Sequence, residues 1–343
     1  MGPDAGAAAL SRPAGHGLDE DDIRVRPGRG SRPRTRRRPA HEEAADGFVA
    51  AVDRGRYRTW VGDREVSAMK ARELGRRSIV VGDRVRLAGD VSARPGTLAR
   101  VVRVLPRTSA LRRSADDTDP VERVIVANAD QLVIVCALAS PPPRPRLIDR
   151  FLVAAYDAGL EPLLCLTKAD LAGPQEILAA YDPLGVRHIV LGRPLTPERI
   201  SQLRDLVTDR ISVLVGQSGV GKSTLFNALV PEAERAIGEV NAVTGRGRHT
   251  SSSGLALLLP GGGWLIDTPG LRSFGLGHIS AANVLRAFPD LAEGAAGCPP
   301  GCSHLETGCG LDEWAAGHGA TARLDSLRRL LRSREGLEPA DAG

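Results

Sequence analysis

A glycine-rich segment, Gly216 to Thr224, carries the clearest chemistry of this chain. It fits the pattern G-x-x-x-x-G-K-[ST] at every fixed position, after an apolar run from Ile211 to Val215 and before a helix-like run. A strand, a glycine loop and a helix in this order are typical of a phosphate-binding loop, whose backbone N–H groups and helix N-terminus face phosphate oxygens. The pattern predicts a nucleotide site made of Gly216, Gln217, Ser218, Gly219, Val220, Gly221, Lys222, Ser223 and Thr224.

Two side chains of this loop and one carboxylate predict how phosphate and metal are held. Lys222 is expected to reach the β- and γ-phosphates, and the Ser223 hydroxyl is expected to bind Mg²⁺. Asp267 ends another apolar strand and begins the sequence Asp-Thr-Pro-Gly. A carboxylate in that position suits a direct or water-mediated contact with Mg²⁺. We therefore expect magnesium near Ser223 and Asp267.

A third segment, Thr167-Lys168-Ala169-Asp170, indicates which base is bound. It follows an apolar run and matches the N/T-K-x-D element of GTPases, with Thr167 where many of them have Asn. The Asp170 carboxylate can accept hydrogen bonds from the N1–H and amino groups of guanine. Adenine has no such pair of donors and would leave the carboxylate unpaired, which is costly. Lys168 would extend its alkyl stem along the base. We predict that Thr167, Lys168, Ala169 and Asp170 bind GTP.

The three motifs occur in an unusual order. Here the guanine motif precedes the phosphate-binding loop, whereas it comes last in ordinary GTPases. This order is a circular permutation, which a domain tolerates because its termini often lie close together. Short apolar runs typical of buried parallel strands agree with it, and they span 131–138, 163–166, 188–191 and 211–215. Two further runs, 255–259 and 264–266, flank a Pro-Gly-Gly-Gly segment and predict a hairpin.

The N-terminal third has two parts of different character. Between residues 24 and 38 lie eight arginines and no acid, interleaved with Gly and Pro. That composition predicts a disordered basic arm, which either contacts nucleic acid or keeps the protein soluble. Residues 46–112 hold short strand-like runs with glycine turns, which predict a five-stranded barrel of the OB type. Its Tyr57 and Trp60 either stack on RNA bases between basic residues or belong to the barrel core.

The composition of the whole chain limits the classes of protein to which it can belong. The 343 residues suffice for two or three domains, and the formal net charge is +5. The sequence has no apolar run of the roughly 18 residues that a membrane helix needs, and its start does not resemble a signal peptide. We therefore expect a cytoplasmic protein that does not bind membranes.

A cysteine cluster near the C-terminus predicts a metal site. Cys298, Cys302, His304 and Cys309 lie within twelve residues. Three thiolates and an imidazole are a ligand set of structural Zn²⁺, and clustered cysteines in an intracellular chain are more often metal ligands than disulfides. Beyond the cluster, leucines among arginines predict an amphipathic terminal helix. This helix either moves with the nucleotide state or packs on the nucleotide-binding core.

The combination of these motifs is similar to the small ribosomal subunit-dependent GTPase family of the RsgA type. Further matching segments are Ala127 to Gln131, Gly247 to Thr250 and Asp267 to Leu271. The resemblance implies a multidomain α/β protein with an N-terminal OB-fold β-barrel, a circularly permuted P-loop GTPase domain and a C-terminal zinc-knuckle and helical unit. The expected segments are the arm at 1–45, the barrel at 46–112, the GTPase domain at 120–280, the zinc-binding domain at 281–335 and a tail at 336–343.

The resemblance also implies an activity and a partner. We expect hydrolysis of GTP to GDP and phosphate with Mg²⁺, late in the maturation of the 30S small ribosomal subunit and stimulated by that subunit. The expected partners are the subunit and its 16S rRNA, bound by a monomer with one Zn²⁺. Two alternatives stay open. Asp170 argues against a P-loop ATPase or kinase, and the intact Lys222, Ser223 and Asp267 argue against an RNA-binding protein with a static nucleotide site.

One further segment completes the expected catalytic site. The resemblance makes Thr250 the switch threonine that contacts Mg²⁺ and senses the γ-phosphate. Leu271 stands where Ras-like proteins have a glutamine that positions the attacking water, and a leucine cannot do this. His249, which directly precedes Thr250, is therefore a candidate catalytic residue. Alternatively, His249 faces RNA or solvent.

Overall fold

A computed structural model describes residues 43–53, 55–75, 78–113, 123–230, 254–268, 276, 279–306 and 308–335. Nearly all of the predicted arm and the whole of the tail lie outside these residues, and so do His249, Thr250 and Leu271. None of the helices described has both the length and the apolar character needed to cross a membrane.

Five strands in the N-terminal part close into a small barrel. They are β1 (Ala45–Asp53), β2 (Arg56–Val61), β3 (Arg64–Lys70), β4 (Arg84–Ala88) and β5 (Ala99–Val104). β2 joins β1 to β3, β5 joins β3 to β4, and β4 returns to β1. Alternate side chains fill the interior because successive residues of a strand face opposite sides; they include Val49, Tyr57, Val66, Val85 and Val101. The expected OB-like barrel is confirmed.

The aromatic residues of this barrel do not form an exposed stacking surface. Tyr57 is only 6% exposed and lies in the barrel core, where burial raises the pKa of its hydroxyl. Phe48 and Trp60 are cross-strand neighbours. Phe48 stacks on Trp264 with ring centroids 4.3 Å apart, and Trp60 meets the same indole edge-on at 5.7 Å. Stacking on bases is therefore contradicted for Tyr57, which belongs to the barrel core, whereas Trp60 is half-buried against Trp264.

Six strands form the sheet of the second domain, in the order β10, β9, β8, β11, β13, β12. They are β8 (Gln131–Ala137), β9 (Glu161–Thr167), β10 (Arg187–Val190), β11 (Ile211–Val215), β12 (Leu255–Leu258) and β13 (Trp264–Asp267). All neighbouring pairs are parallel except the predicted β12–β13 hairpin. The associated helices are α1 (Pro145–Asp157), α2 (Gln175–Tyr181), α3 (Pro197–Val207) and α4 (Lys222–Leu229). The carboxyl ends of the parallel strands form one edge, which is where ligands bind in open α/β sheets.

The barrel and the second domain share one continuous sheet. β1 pairs with β12, with Ala51 opposite Leu255. Val49 lies in the barrel core and the next residue, Ala50, lies in the core of the second domain, because successive residues of a strand face opposite sides. A two-stranded ribbon of β6 (Ala110–Arg113) and β7 (Arg123–Ala127), which the sequence did not predict, precedes β8.

The C-terminal helices pack on the second domain. They are α5 (Ala281–Arg286), α6 (Pro289–Gly294), α7 (Gly310–Gly317) and α8 (Thr321–Glu335). α8 buries four leucines in the same core as α1, namely Leu324, Leu327, Leu330 and Leu331. Of the two alternatives drawn from the sequence, the structure has the terminal helix packed on the nucleotide-binding core.

Candidate functional site

The glycine-rich loop curls between β11 and α4 at the carboxyl edge of the sheet. Gly216, Gly219 and Gly221 have φ angles of +144°, +80° and +104°, which disfavour residues with a side chain. A Cβ atom on Gly216 would lie 2.3 Å from the carbonyl oxygen of Val135 in the neighbouring strand. Only glycine therefore lets the loop pass this close to β8, and the resulting concave backbone fits a phosphate group.

A cation and a carboxylate lie beside this loop. The Lys222 ammonium donates hydrogen bonds to the carbonyl oxygens of Gly216 at 2.8 Å and Gln217 at 2.6 Å. Burial lowers the pKa of Lys222, and Asp267 opposes this effect. Burial likewise raises the pKa of Asp267, and Lys222 opposes it. Ser223 is exposed in the first turn of α4. A hydroxyl and a carboxylate beside a phosphate loop are oxygen ligands of the kind that Mg²⁺ uses.

The predicted guanine motif follows β9 at the same edge. Asp170 accepts a hydrogen bond from the backbone N–H of Arg193 at 2.8 Å, and the Ala169 N–H donates to the Leu191 carbonyl at 3.1 Å. A pocket lies between this motif, the segment after β10 and the start of α4; its lining includes Thr167, Lys168, Gly192, Leu195, Gly221 and Thr224. The structure thus brings the two motifs to one pocket although they are far apart in sequence.

Thr167 connects the guanine motif to the phosphate-binding loop. Its hydroxyl donates a 2.6 Å hydrogen bond to the carbonyl oxygen of Val220, and the residue is 6% exposed. Lys168 has a φ of +57° and donates from its ammonium to the carbonyl of Ser140 in the segment after β8. Thr167 therefore supports the phosphate-binding loop through Val220. Asp170 is exposed and lies next to Gly192, a residue of the pocket wall.

The segment that holds Asp170 in place lies where the sequence put the degenerate fifth GTPase motif, near Leu191-Gly192-Arg193, in which no residue could be assigned. Leu191, Gly192 and Arg193 follow β10, and a Cβ on Gly192 would lie 3.4 Å from the Asp170 nitrogen. No fixed residue types mark this segment, because it acts through its backbone. Its one detectable signal was its position, directly after an apolar strand of the parallel sheet.

The cysteine cluster forms a compact four-ligand group. The Cys309 sulfur lies 3.4 Å from that of Cys298, 3.7 Å from that of Cys302 and 3.5 Å from His304 Nδ1. All four ligand atoms lie within 4.8 Å of one another. Tetrahedral Zn²⁺ with bonds of about 2.3 Å to sulfur and 2.0 Å to nitrogen would place such atoms about 3.5 to 3.8 Å apart. Burial lowers the pKa of His304, which favours the neutral form that a metal ligand requires.

Curated relatives and a family model match this chain over much of its length. A model described as RsgA GTPase matches residues 104–277. A protein of Gemmatimonas aurantiaca is 37% identical over 278 residues, which are 78% of this chain and 90% of the relative. A protein of Pseudomonas fluorescens is 42% identical over 242 residues, 68% of this chain and 69% of the relative. Both are described as small ribosomal subunit biogenesis GTPase RsgA.

Two solved structures share the architecture. YjeQ from Thermotoga maritima has a TM-score of 0.62 at 24% identity, covering 85% of this chain and 99% of that one. YloQ, described as a circularly permuted GTPase, has a TM-score of 0.63 at 23% identity, covering 88% and 99%. The permuted order of motifs and the family match agree, and the chain belongs to the RsgA GTPase family.

Proposed function

We propose that this GTPase acts in the late maturation of the 30S small ribosomal subunit and that the subunit stimulates its hydrolysis of GTP to GDP and phosphate. The observation that carries the proposal is the shared pocket of the guanine motif and the phosphate-binding loop. The names of the relatives supply the cellular context, since they are described as small ribosomal subunit biogenesis GTPases.

The site residues divide into three groups in this proposal. Residues 167–170 and 216–224 bind GTP, with Asp170 on the guanine edge and Lys222 on the phosphates. Ser223, Thr250 and Asp267 surround Mg²⁺, which would neutralise charge that develops on the phosphates. His249 is the candidate that completes catalysis once the subunit is bound, because Leu271 cannot position water.

The barrel is the proposed contact with 16S rRNA. Its outward face has Arg56 opposite Met69 on β3, and Met69 opposite Arg100 on β5. Both arginines and Met69 are exposed. Tyr57 lies in the barrel core and Trp60 packs against Trp264. Contacts from this face to RNA would therefore be mainly from arginine to phosphate, and they would be sensitive to salt. The arm at 1–45 adds positive charge. We propose that the protein acts as a monomer in the cytoplasm.

The four-ligand cluster is proposed to hold one structural Zn²⁺. Its donor set of three thiols and one imidazole is that of a closed structural site, and the three distances from the Cys309 sulfur are close to those of tetrahedral geometry. Because residues 281–335 hold short helices around the cluster, metal binding would contribute directly to the folding of that domain.

Nucleotide turnover tests the proposed function. GTP and ATP hydrolysis would be measured with and without purified 30S subunits. We expect slow GTP hydrolysis that the subunits accelerate, and little ATP hydrolysis. Lys222→Ala should abolish turnover, whereas His249→Ala should lower only the stimulated rate, since its effect would fall on the transition state.

Two other outcomes would contradict the proposal, and a third would remove only the role of His249. Equal use of ATP would favour a P-loop ATPase or kinase. An absence of turnover despite GTP binding would favour a static nucleotide site. Equal stimulated rates for His249→Ala and the unchanged protein would eliminate His249 as a catalytic residue without affecting the rest of the proposal.

A further inference from the structure

One arginine of the terminal helix reaches the cysteine cluster from outside it. Arg328 lies on α8, and its Nε donates to the backbone carbonyl of His304 at 2.9 Å. Its other nitrogens donate to Asp312 Oδ1 at 2.6 Å and to the Glu306 carbonyl at 3.3 Å. Asp312 in turn accepts a 3.1 Å hydrogen bond from the Gly308 N–H. Arg328 and Asp312 thus hold both ends of the segment between the ligands His304 and Cys309.

The charge of Arg328 also suits this position. A guanidinium keeps its positive charge at any pH near neutral. The Arg328 side chain is only 13% exposed and shares its charge with Asp312. Three thiolates outweigh the two charges of Zn²⁺ and leave the complex anionic. Positive charge next to the segment that joins His304 to Cys309 would offset part of that negative charge, and groups behind the direct ligands commonly tune metal affinity in this way.

We propose that Arg328 is a positioning residue of the metal site. The zinc knuckle, residues 298–309, would then be completed by the terminal helix. This inference rests on the proposed zinc site. The guanidinium fixes the backbone of His304 and Glu306 and thereby orients the imidazole. The knuckle is then not an autonomous loop, because one of its supports comes from a helix that packs on the GTPase core.

The other arginines of α8 point to different partners, which makes the proposal testable. Arg323 donates to Asp290 and to the Pro183 carbonyl, so it anchors the helix without touching the knuckle. Arg332, one turn beyond Arg328, is exposed. Arg323→Gln therefore loosens the helix alone, and Arg332→Gln removes a charge from its surface.

Zinc retention is the direct measurement. Zinc content of the unchanged full-length protein is determined first, and about one ion per chain is required. Its release to a chromogenic chelator is then followed. We expect Arg328→Gln to weaken zinc binding by about 10- to 100-fold, the usual effect of losing a supporting residue. Arg328→Lys should recover only part of the loss, since an ammonium keeps the charge but cannot make the forked contacts. Arg332→Gln should match the unchanged protein.

A spectroscopic comparison separates a local role from general loosening. In the Co²⁺-substituted protein, Arg328→Gln should shift the sulfur-to-metal charge-transfer band, and Arg323→Gln should not. Equal zinc release in Arg328→Gln and the unchanged protein would overturn the proposal. Equally faster zinc release in Arg323→Gln and Arg328→Gln would also overturn it, because the effect would then come from loss of helix packing. Absence of zinc from the unchanged protein would remove the proposed metal site but leave the proposed GTPase function standing.

Discussion

At the scale of single residues, the base site depends on side chains that divide the work. Asp170 is exposed and accepts a hydrogen bond from the Arg193 N–H. Thr167 is buried and donates to Val220 in the phosphate-binding loop. In the proposed function, base specificity would depend on Asp170 and placement of the phosphates would depend on Thr167. A change at either position should affect a different property of nucleotide binding.

Replacing the base-recognition carboxylate should change nucleotide preference. Asp170→Asn exchanges one acceptor oxygen for a donor that faces the donors of guanine. The mismatch should cost about 1–3 kcal/mol of GTP binding free energy, or about 5- to 150-fold in affinity. Xanthine nucleotides, which present an acceptor there, should bind better than they do to the unchanged protein. Titration of GTP, XTP and ATP measures this, and unchanged GTP affinity would show that Asp170 does not contact the base.

At the scale of elements, helix α8 joins three other parts of the molecule. Arg323 reaches α6, Arg328 reaches the cysteine cluster, and Arg329 reaches Asp149 of α1 at 3.1 Å. Arg329 also lies over the Tyr181 ring, 4.9 Å from its centroid. Asp149 is 1% exposed, whereas the Arg329 side chain is 29% exposed. The buried Asp149 carboxylate therefore depends on Arg329 for its charge more than Arg329, which water can reach, depends on Asp149.

Breaking this ion pair should have unequal effects from its two sides. Arg329→Met leaves the Asp149 carboxylate buried without its cation and should lower the free energy of unfolding by about 2–3 kcal/mol. Asp149→Asn leaves a guanidinium that water can reach, and its cost should be nearer 1 kcal/mol. Urea unfolding of the two variants measures the difference. If Asp149→Asn were the more destabilising, the buried carboxylate would not be the controlling charge.

At the scale of the molecule, a polar junction joins the barrel to the GTPase domain. Asn128 is 2% exposed, donates to the Gly82 carbonyl at 2.9 Å and accepts from the Thr108 N–H at 2.9 Å. A Cβ on Gly82 would lie 2.0 Å from the Ala127 carbonyl oxygen, so the segments that contain Gly82 and Ala127 pass in close contact. Asp83 is fully buried and pairs with Arg107 at 2.7 Å. These contacts, with the β1–β12 pairing, fix the barrel relative to the nucleotide site.

Loss of the junction amide should weaken that connection. Asn128→Ala leaves the Gly82 carbonyl and the Thr108 N–H without this partner and should cost about 2–4 kcal/mol of unfolding free energy. Subunit-stimulated turnover should fall more than unstimulated turnover, because only the former needs the barrel in place. Thr97→Ala, which removes a hydrogen bond in an exposed loop of the same barrel, is the matched control. A parallel loss of both rates would indicate general destabilisation instead.

Much of the fold could be predicted because its signals are local. The runs at 131–138 and 211–215 became β8 and β11 nearly as expected, since buried parallel strands are continuous apolar segments. The phosphate-binding loop was predictable for a similar reason. Its glycines have positive φ angles, and the pattern that contains them stays within nine residues.

The sequence by itself determined the chemistry: a phosphate loop, a guanine motif, their permuted order and a Cys₃His ligand set. Only the tertiary structure decided which contacts were made by side chains whose type fits more than one role. Tyr57 faces the barrel core, Thr167 bonds to a residue 53 positions away, and Arg328 supports a ligand 24 positions before it. The ribbon of β6 and β7 also escaped prediction, because its strands are short and pair with each other. Such contacts join residues distant in sequence, and their energies depend on burial and geometry that no local pattern contains.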